Sequence, residues 1–191
     1  MKALACVVLL ASLTACGSSA ASPPPTPAPA GTPSATASVW DIDPSFNATD
    51  LAWIELMIPM DQQLLRVLAL GEKQAADPAV RAFAGQVAAG HRAELDRLVA
   101  LRTRSRLPVR NPHEGHDMPG MITEPEIVAL GKATGAAFDA TFLKNLKEHL
   151  DQSIVLARGI TKDGKDPEGK KLAASIVTTR TTQLKQLATL D

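Results

Sequence analysis

A weak internal repeat constrains this 191-residue chain more than any other feature. A shift of 89 residues lays Asp77-Pro78 on Asp166-Pro167, and Ala84, Leu95, Leu98 and Leu101 on Ala173, Leu184, Leu187 and Leu190. Val87 falls on Ile176, Gln63 on Gln152 and Trp53 on Phe142, all without a gap. Register kept across two helix-length segments implies a doubled unit, and each unit reads as helix, turn, helix. Tyrosine is absent, aromatic residues make up only 3% of the chain, and no stretch alternates as a strand would. The expected fold is all-α: a four-helix bundle domain over 40–191, made of two repeated helical hairpins at about 48–103 and 137–190 and joined by a linker at 104–136.

Local signals place the helices at about 48–74, 78–103, 137–160 and 168–190. Asp77 and Asp166 are N-caps, each followed by a proline at the first helical position. Gly71 and Gly159 stand near the expected ends of the preceding helices. Thr123-Glu124-Pro125-Glu126 is a capping box opening a short extra helix to about Ala133. Pro59, inside the first helix, should kink it. Apolar stripes step by three and four: Trp53, Met57, Met60, Leu64 and Val67, then Val80, Ala84, Val87, His91, Glu94, Leu98 and Leu101. In the second unit they are Phe142, Leu146, His149, Ser153 and Leu156, then Ala173, Ile176, Arg180, Gln183, Leu187 and Leu190. The stripes of the second helix of each unit thus carry a polar layer, His91 and Glu94 against Arg180 and Gln183. That layer is either solvated near a bundle end or part of a site, because buried polar groups need partners.

The N-terminus sets the compartment. Residues 1–15 carry one charge, Lys2, and an apolar run too short to span a bilayer, ending in Leu13-Thr14-Ala15-Cys16. This is a lipoprotein signal peptide, with Cys16 as the lipidation site. Two or three acyl chains there would make a stable anchor on the extracytoplasmic face of a cell membrane. Residues 16–39 form a disordered, lipidated tether: 17–38 contain only Ala, Ser, Thr, Pro and Gly, with six prolines. As a polyproline-like segment it reaches roughly 65 Å. The other cysteine, Cys6, is cut away with the signal, so no disulfide forms within a monomer. The formal charge is 0, or −1 without Lys2, which gives no electrostatic case for nucleic acid.

Met57-Ile58-Pro59 before a helix, and the central block His113-Glu-Gly-His116-Asp-Met118-Pro-Gly-Met121, Thr123-Glu-Pro-Glu126 and Phe138-Asp139-Ala-Thr-Phe142-Leu143, resemble the bacterial family labelled domain of unknown function 305. The resemblance covers roughly 48–191. It implies a ferritin-like four-helix bundle, commonly in exported proteins, some of them linked to copper or other metals. Where that family carries a His pair in each repeat, this chain has Met60-Asp61 and His149-Leu150. Where it has Gln-x-x-Glu, this chain has His91 with Glu94, then Arg180 with Gln183.

Three groups of residues carry candidate chemistry. In the linker, His113, His116, Met118 and Met121 offer imidazole and thioether ligands suited to copper, above all Cu(I). Otherwise both methionines pack on the bundle and the histidines are solvated. In the bundle, Met57, Met60 and His149 would make a mixed site about a pseudo-twofold axis. Otherwise the methionines fill core and Glu148 or Asp61 satisfies the imidazole. In the polar layer, His91 and Glu94 could ligate a metal, but Arg180 opposes a second cation, and a Glu94–Arg180 salt bridge is simpler. No Glu-x-x-His, nucleophile elbow or phosphate-binding loop is present, so no enzyme is expected. The expected function is that of a membrane-anchored lipoprotein binding or buffering a metal ion, copper first. The alternative is a helical interaction module that binds no metal and meets an envelope protein partner.

Overall fold

The computed structural model describes residues 41–190. Cys16, the signal segment 1–15 and the tether lie outside them. The described residues form five helices: α1 (Ala48–Gln74), α2 (Pro78–Ser105), α3 (Glu124–Lys132), α4 (Gly135–Asp163) and α5 (Pro167–Leu187). The caps are those expected. Asp77 accepts from Ala79 N at 2.6 Å, Asp166 accepts from Gly169 N at 2.6 Å, and Pro78 and Pro167 open the helices. Thr123 and Glu126 close the box that starts α3.

α1 runs on through Pro59 to Gln74, and Pro59 is buried. Gly71 does not end α1. A Cβ there would lie 2.6 Å from the Phe142 ring and 2.9 Å from Ala84, so its lack of a side chain lets three helices close together. Gly159 does not end α4 either, which continues to Asp163.

α1 and α2 form one hairpin and α4 and α5 the other. They pack with α1 against α4 and, less extensively, α2 against α5. The first residues of α1 lie beside the α4–α5 turn, since Asn47 Nδ2 donates to Asp163 O at 2.8 Å. α1 and α4 are therefore antiparallel. Arg104, near the end of α2, meets Asp166 at the start of α5 at 2.7 Å, so α2 and α5 are antiparallel too. The connection from α2 to α4 must then run the length of the bundle. This single long crossover is the connectivity of a ferritin-like bundle. α3 lies on it, tied to α1 by Gln74 Nε2 donating to Leu130 O at 3.3 Å and by the Arg66–Glu124 ion pair.

The two hairpins hold each other through a matched pair of carboxylates. Asp139, at the start of α4, accepts from the amides of Ala76 and Asp77 at 2.9 Å each, in the α1–α2 turn. Asp50, at the start of α1, accepts from the amides of Lys165 and Asp166 at 2.9 and 3.2 Å, in the α4–α5 turn. These residues are equivalents under the 89-residue shift. Each turn is capped by the opposite hairpin, at opposite ends of the bundle.

Between the ends, the stripes bury as expected: Trp53, Met57, Met60, Leu64 and Val67 are each at most 4% exposed. Among the described residues, no helix is long and apolar enough to cross a membrane.

Each clamp supplies two charge-assisted hydrogen bonds to otherwise unpaired amides. Asp50→Ala and Asp139→Ala should each cost about 1.5–3 kcal/mol in urea unfolding. Asp50 should cost more, being buried. The double variant should be additive, because the sites do not touch.

Candidate metal centre

Midway along the bundle each of the four long helices presents a polar side chain to the axis. α1 contributes Asp61, α2 His91 and Glu94, α4 His149 and Ser153, and α5 Arg180 and Gln183. Asp61, His91, His149, Ser153 and Arg180 are all fully buried. The layer is therefore not solvated near a bundle end. His149, read from sequence as part of a bundle site, joins the residues read as a structural layer in one cluster.

Its two imidazoles are set in the same way. His91 Nδ1 lies 3.0 Å from Val87 O, one turn back on α2. His149 Nδ1 lies 3.1 Å from Gly120 O, on the crossover. A carbonyl only accepts, so each Nδ1 carries the proton and donates, and each Nε2 is left with a free lone pair. Neither Nε2 has a hydrogen-bond partner, nor has either oxygen of Asp61. The rings stand 5.4 Å apart between centroids, and His149 Nε2 is 3.7 Å from Asp61 Oδ1. One ligand atom each from Asp61, His91 and His149 fall within 4.8 Å of one another. Two ligands of one ion, each about 2.0–2.1 Å from it, stand about 3.3 Å apart in tetrahedral geometry and about 4 Å apart in linear geometry. The 3.7 Å between His149 Nε2 and Asp61 Oδ1 is longer than a hydrogen bond and falls between those two separations. A backbone carbonyl behind each imidazole is also the outer support that metal-ligating histidines use.

The other half of the layer is an ion pair. Arg180 donates to Glu94 Oε2 at 2.7 Å, to Ser153 Oγ at 3.3 Å and to Gln183 Oε1 at 3.4 Å. The Glu94–Arg180 bridge expected from sequence is present. Glu94 and Asp61 also lie near enough to affect each other's ionisation. Burial pushes both carboxyls up to about 7, against the pull of Arg180. Burial and the nearby guanidinium hold His149 down to about 3 and His91 well below its ordinary value. Both imidazoles are accordingly neutral and ready to ligate. A cleft of about 120 Å³ between α2 and α5, lined by Gly90, Glu94, Arg97, Ile176 and Arg180 among others, leads to this layer. A larger apolar groove between α1 and α4, lined by Trp53, Leu56, Val155 and Ile160, carries no titratable side chain.

The remaining candidates are not assembled. Met57 and Met60 are buried in the apolar core, with Met57 one turn before Asp61 on the same face of α1. Glu148 is exposed and pairs with Lys144, leaving Asp61 as the carboxylate facing His149. In the linker, Met121 is buried and Met118 packs against the same core, while His116 is exposed and His113 half-buried. The rings of His113 and His116 are 6.3 Å apart. The four linker residues thus divide between core and solvent, as the packing alternative has it. Sequence reasoning missed the pairing of His91 with His149. The signal lay in the stripes, which put both residues on core-facing positions of different helices.

No curated protein matches the chain. Its fold is shared by a DUF305 fragment from Deinococcus radiodurans (TM-score 0.68, 18% identity, covering 76% of this chain and 96% of that one). It is also shared by a DUF305 protein from Streptomyces coelicolor (TM-score 0.67, 22% identity, 74% and 91%) and by CopM in its Cu(I)-bound form (TM-score 0.63, 20% identity, 75% and 96%). Residues 50–191 match the model of the domain of unknown function DUF305, and the chain belongs to that family.

Proposed function

We propose that this protein is a non-catalytic, membrane-anchored extracytoplasmic lipoprotein that binds a soft metal ion, copper first, at Asp61, His91 and His149. The observation that carries the reading is the set of buried lone pairs. Two Nε2 atoms and a carboxylate from three helices converge with no donor between them. Unpaired polar atoms of this kind are costly in a core, and a bound cation removes that cost for all of them at once. Proteins of the same fold support the choice of ion, since CopM is described in Cu(I)-, Cu(II)- and Ag-bound forms. Imidazole suits copper. The ion supplies charge and coordination to a layer that the chain has already oriented. The signal pattern that ends at Cys16 and the Pro-rich tether support a domain outside the cytoplasm.

Titration of the purified protein against a competing chelator should show one Cu(I) or Ag(I) per chain. His91→Ala, His149→Ala and Asp61→Ala should each weaken binding by at least about 100-fold. His113→Ala with His116→Ala should leave it within a few-fold. Retention of full affinity in all three core variants would remove the centre. No binding by the parent protein would leave the interaction module as the reading to pursue.

Proton competition gives a second check. Asp61, raised to about 7, must release a proton to ligate, whereas His149, held down to about 3, has none to release. Affinity should therefore fall about tenfold per pH unit below 7 and level off above it. A midpoint near the ordinary histidine value that vanishes in the His variants would instead assign the competing proton to an imidazole.

A further inference from the structure

The bundle's pseudo-symmetry places Arg180 where the first repeat has His91, so this centre has a fixed positive charge built into one quadrant. An arginine side chain keeps its proton in any protein environment. Arg180 is 0% exposed and its guanidinium is spoken for by Glu94, Ser153 and Gln183. The ionisable groups of the layer are Asp61, Glu94, Arg180 and the two imidazoles. With its ligands in their ligating forms, the layer carries two negative charges and one positive charge. A monovalent ion brings it to neutrality, whereas a divalent ion leaves one uncompensated positive charge among buried side chains. Arg97, which lines the α2/α5 cleft beside Glu94 and Arg180, adds positive charge at the mouth and opposes the divalent ion further.

We propose that Arg180, by offsetting the charge of Glu94, holds the layer at one net negative charge and so makes this centre selective for a monovalent soft cation over a divalent one. This rests on the metal reading above. It adds a specific role for Arg180, a residue that ligates nothing and determines selectivity through its charge. Burial gives the effect its size, because a unit charge is screened less at a few ångströms in the interior than in water.

The test compares the ratio of Ag(I) to Zn(II) affinity, both ions being redox-inert, across four forms of the protein, with circular dichroism reporting the fold. Arg180→Met makes the layer one charge more negative and should move the ratio toward Zn(II) by at least about 100-fold. Gln183→Glu adds a carboxylate about where Gln183 Oε1 now meets Arg180, with no change of volume, and should move it the same way. The double variant Arg180→Met with Glu94→Gln removes both charges together and should keep the ratio within a few-fold of the parent. If Arg180→Met does not fold, Gln183→Glu carries the test alone. Binding of both ions with a ratio that neither single variant moves overturns the inference and leaves the metal centre standing. An equal shift in the charge-preserving double variant overturns it too, since shape and not charge would then be at work. Binding of neither ion by the parent protein overturns the centre itself and this inference with it.

Discussion

A guanidinium that cannot shed its proton lies at the middle of this bundle, and the layer around it is arranged to make that tolerable. Transferring an arginine from water into a helical core is expensive unless a carboxylate and further acceptors meet it. Glu94 does so at 2.7 Å, with Ser153 and Gln183 behind. Removing one partner of such a pair typically costs about 3–5 kcal/mol, because the other is left charged and buried. The same positive charge acts on its neighbours alongside burial. It depresses both imidazoles and partly offsets the rise that burial imposes on Asp61 and Glu94. Burial is the larger cause of the neutral imidazoles, and Arg180 adds to it.

What places four helices in register for such a layer is the doubled hairpin. A two-helix unit cannot bury its own apolar stripe, so two units must pair. Helix packing alone permits sliding by a turn. The Asp50 and Asp139 clamps resist that, because each carboxylate fits two amides in the opposite turn and a one-turn slip would break both sets. Gly71 has a similar effect through shape. With only hydrogen in place of a Cβ, the Phe142 ring sits against α1, and any larger residue would push α4 outward.

Much of this was legible in the chain, and the limits have physical causes. The Asp-Pro pairs, the capping box and the stripes located the helices to within a few residues, since these signals act within one turn. The polar layer and the Glu94–Arg180 pair were legible too, as polar residues on core-facing positions have few partners to choose from. The clamps were missed. Asp50 and Asp139 look like ordinary first-turn carboxylates, and their partners are backbone amides, which carry no residue identity. The meeting of His91 with His149 was missed for another reason. The repeat pairs His91 with Arg180 and Met60 with His149, so it suggests contacts across the pseudo-axis between equivalents. In the bundle, the side chains that meet at one level are those whose helices bring them to the same height, and equivalence under the repeat does not decide that.

The linker shows how a segment can look like a site and yet serve one. His113-x-x-His116 and Met118-x-x-Met121 have the composition of a soft-metal loop, but the loop's path assigns them different work. It must travel the length of the bundle, and it crosses α4 where Gly120, at φ 74, leaves no room for a Cβ: one would lie 2.5 Å from Gln152 Cβ and 3.1 Å from Glu148 O. Met121, and in part Met118, anchor that crossing in the core. Its consequence lies one residue away from the methionines, where Gly120 O accepts the Nδ1 proton of His149 and turns Nε2 inward. Met-Pro-Gly-Met therefore reaches the polar layer through a backbone carbonyl. The glycine allows the close approach, the methionines hold it, and the carbonyl selects the tautomer that leaves a lone pair facing Asp61 and His91.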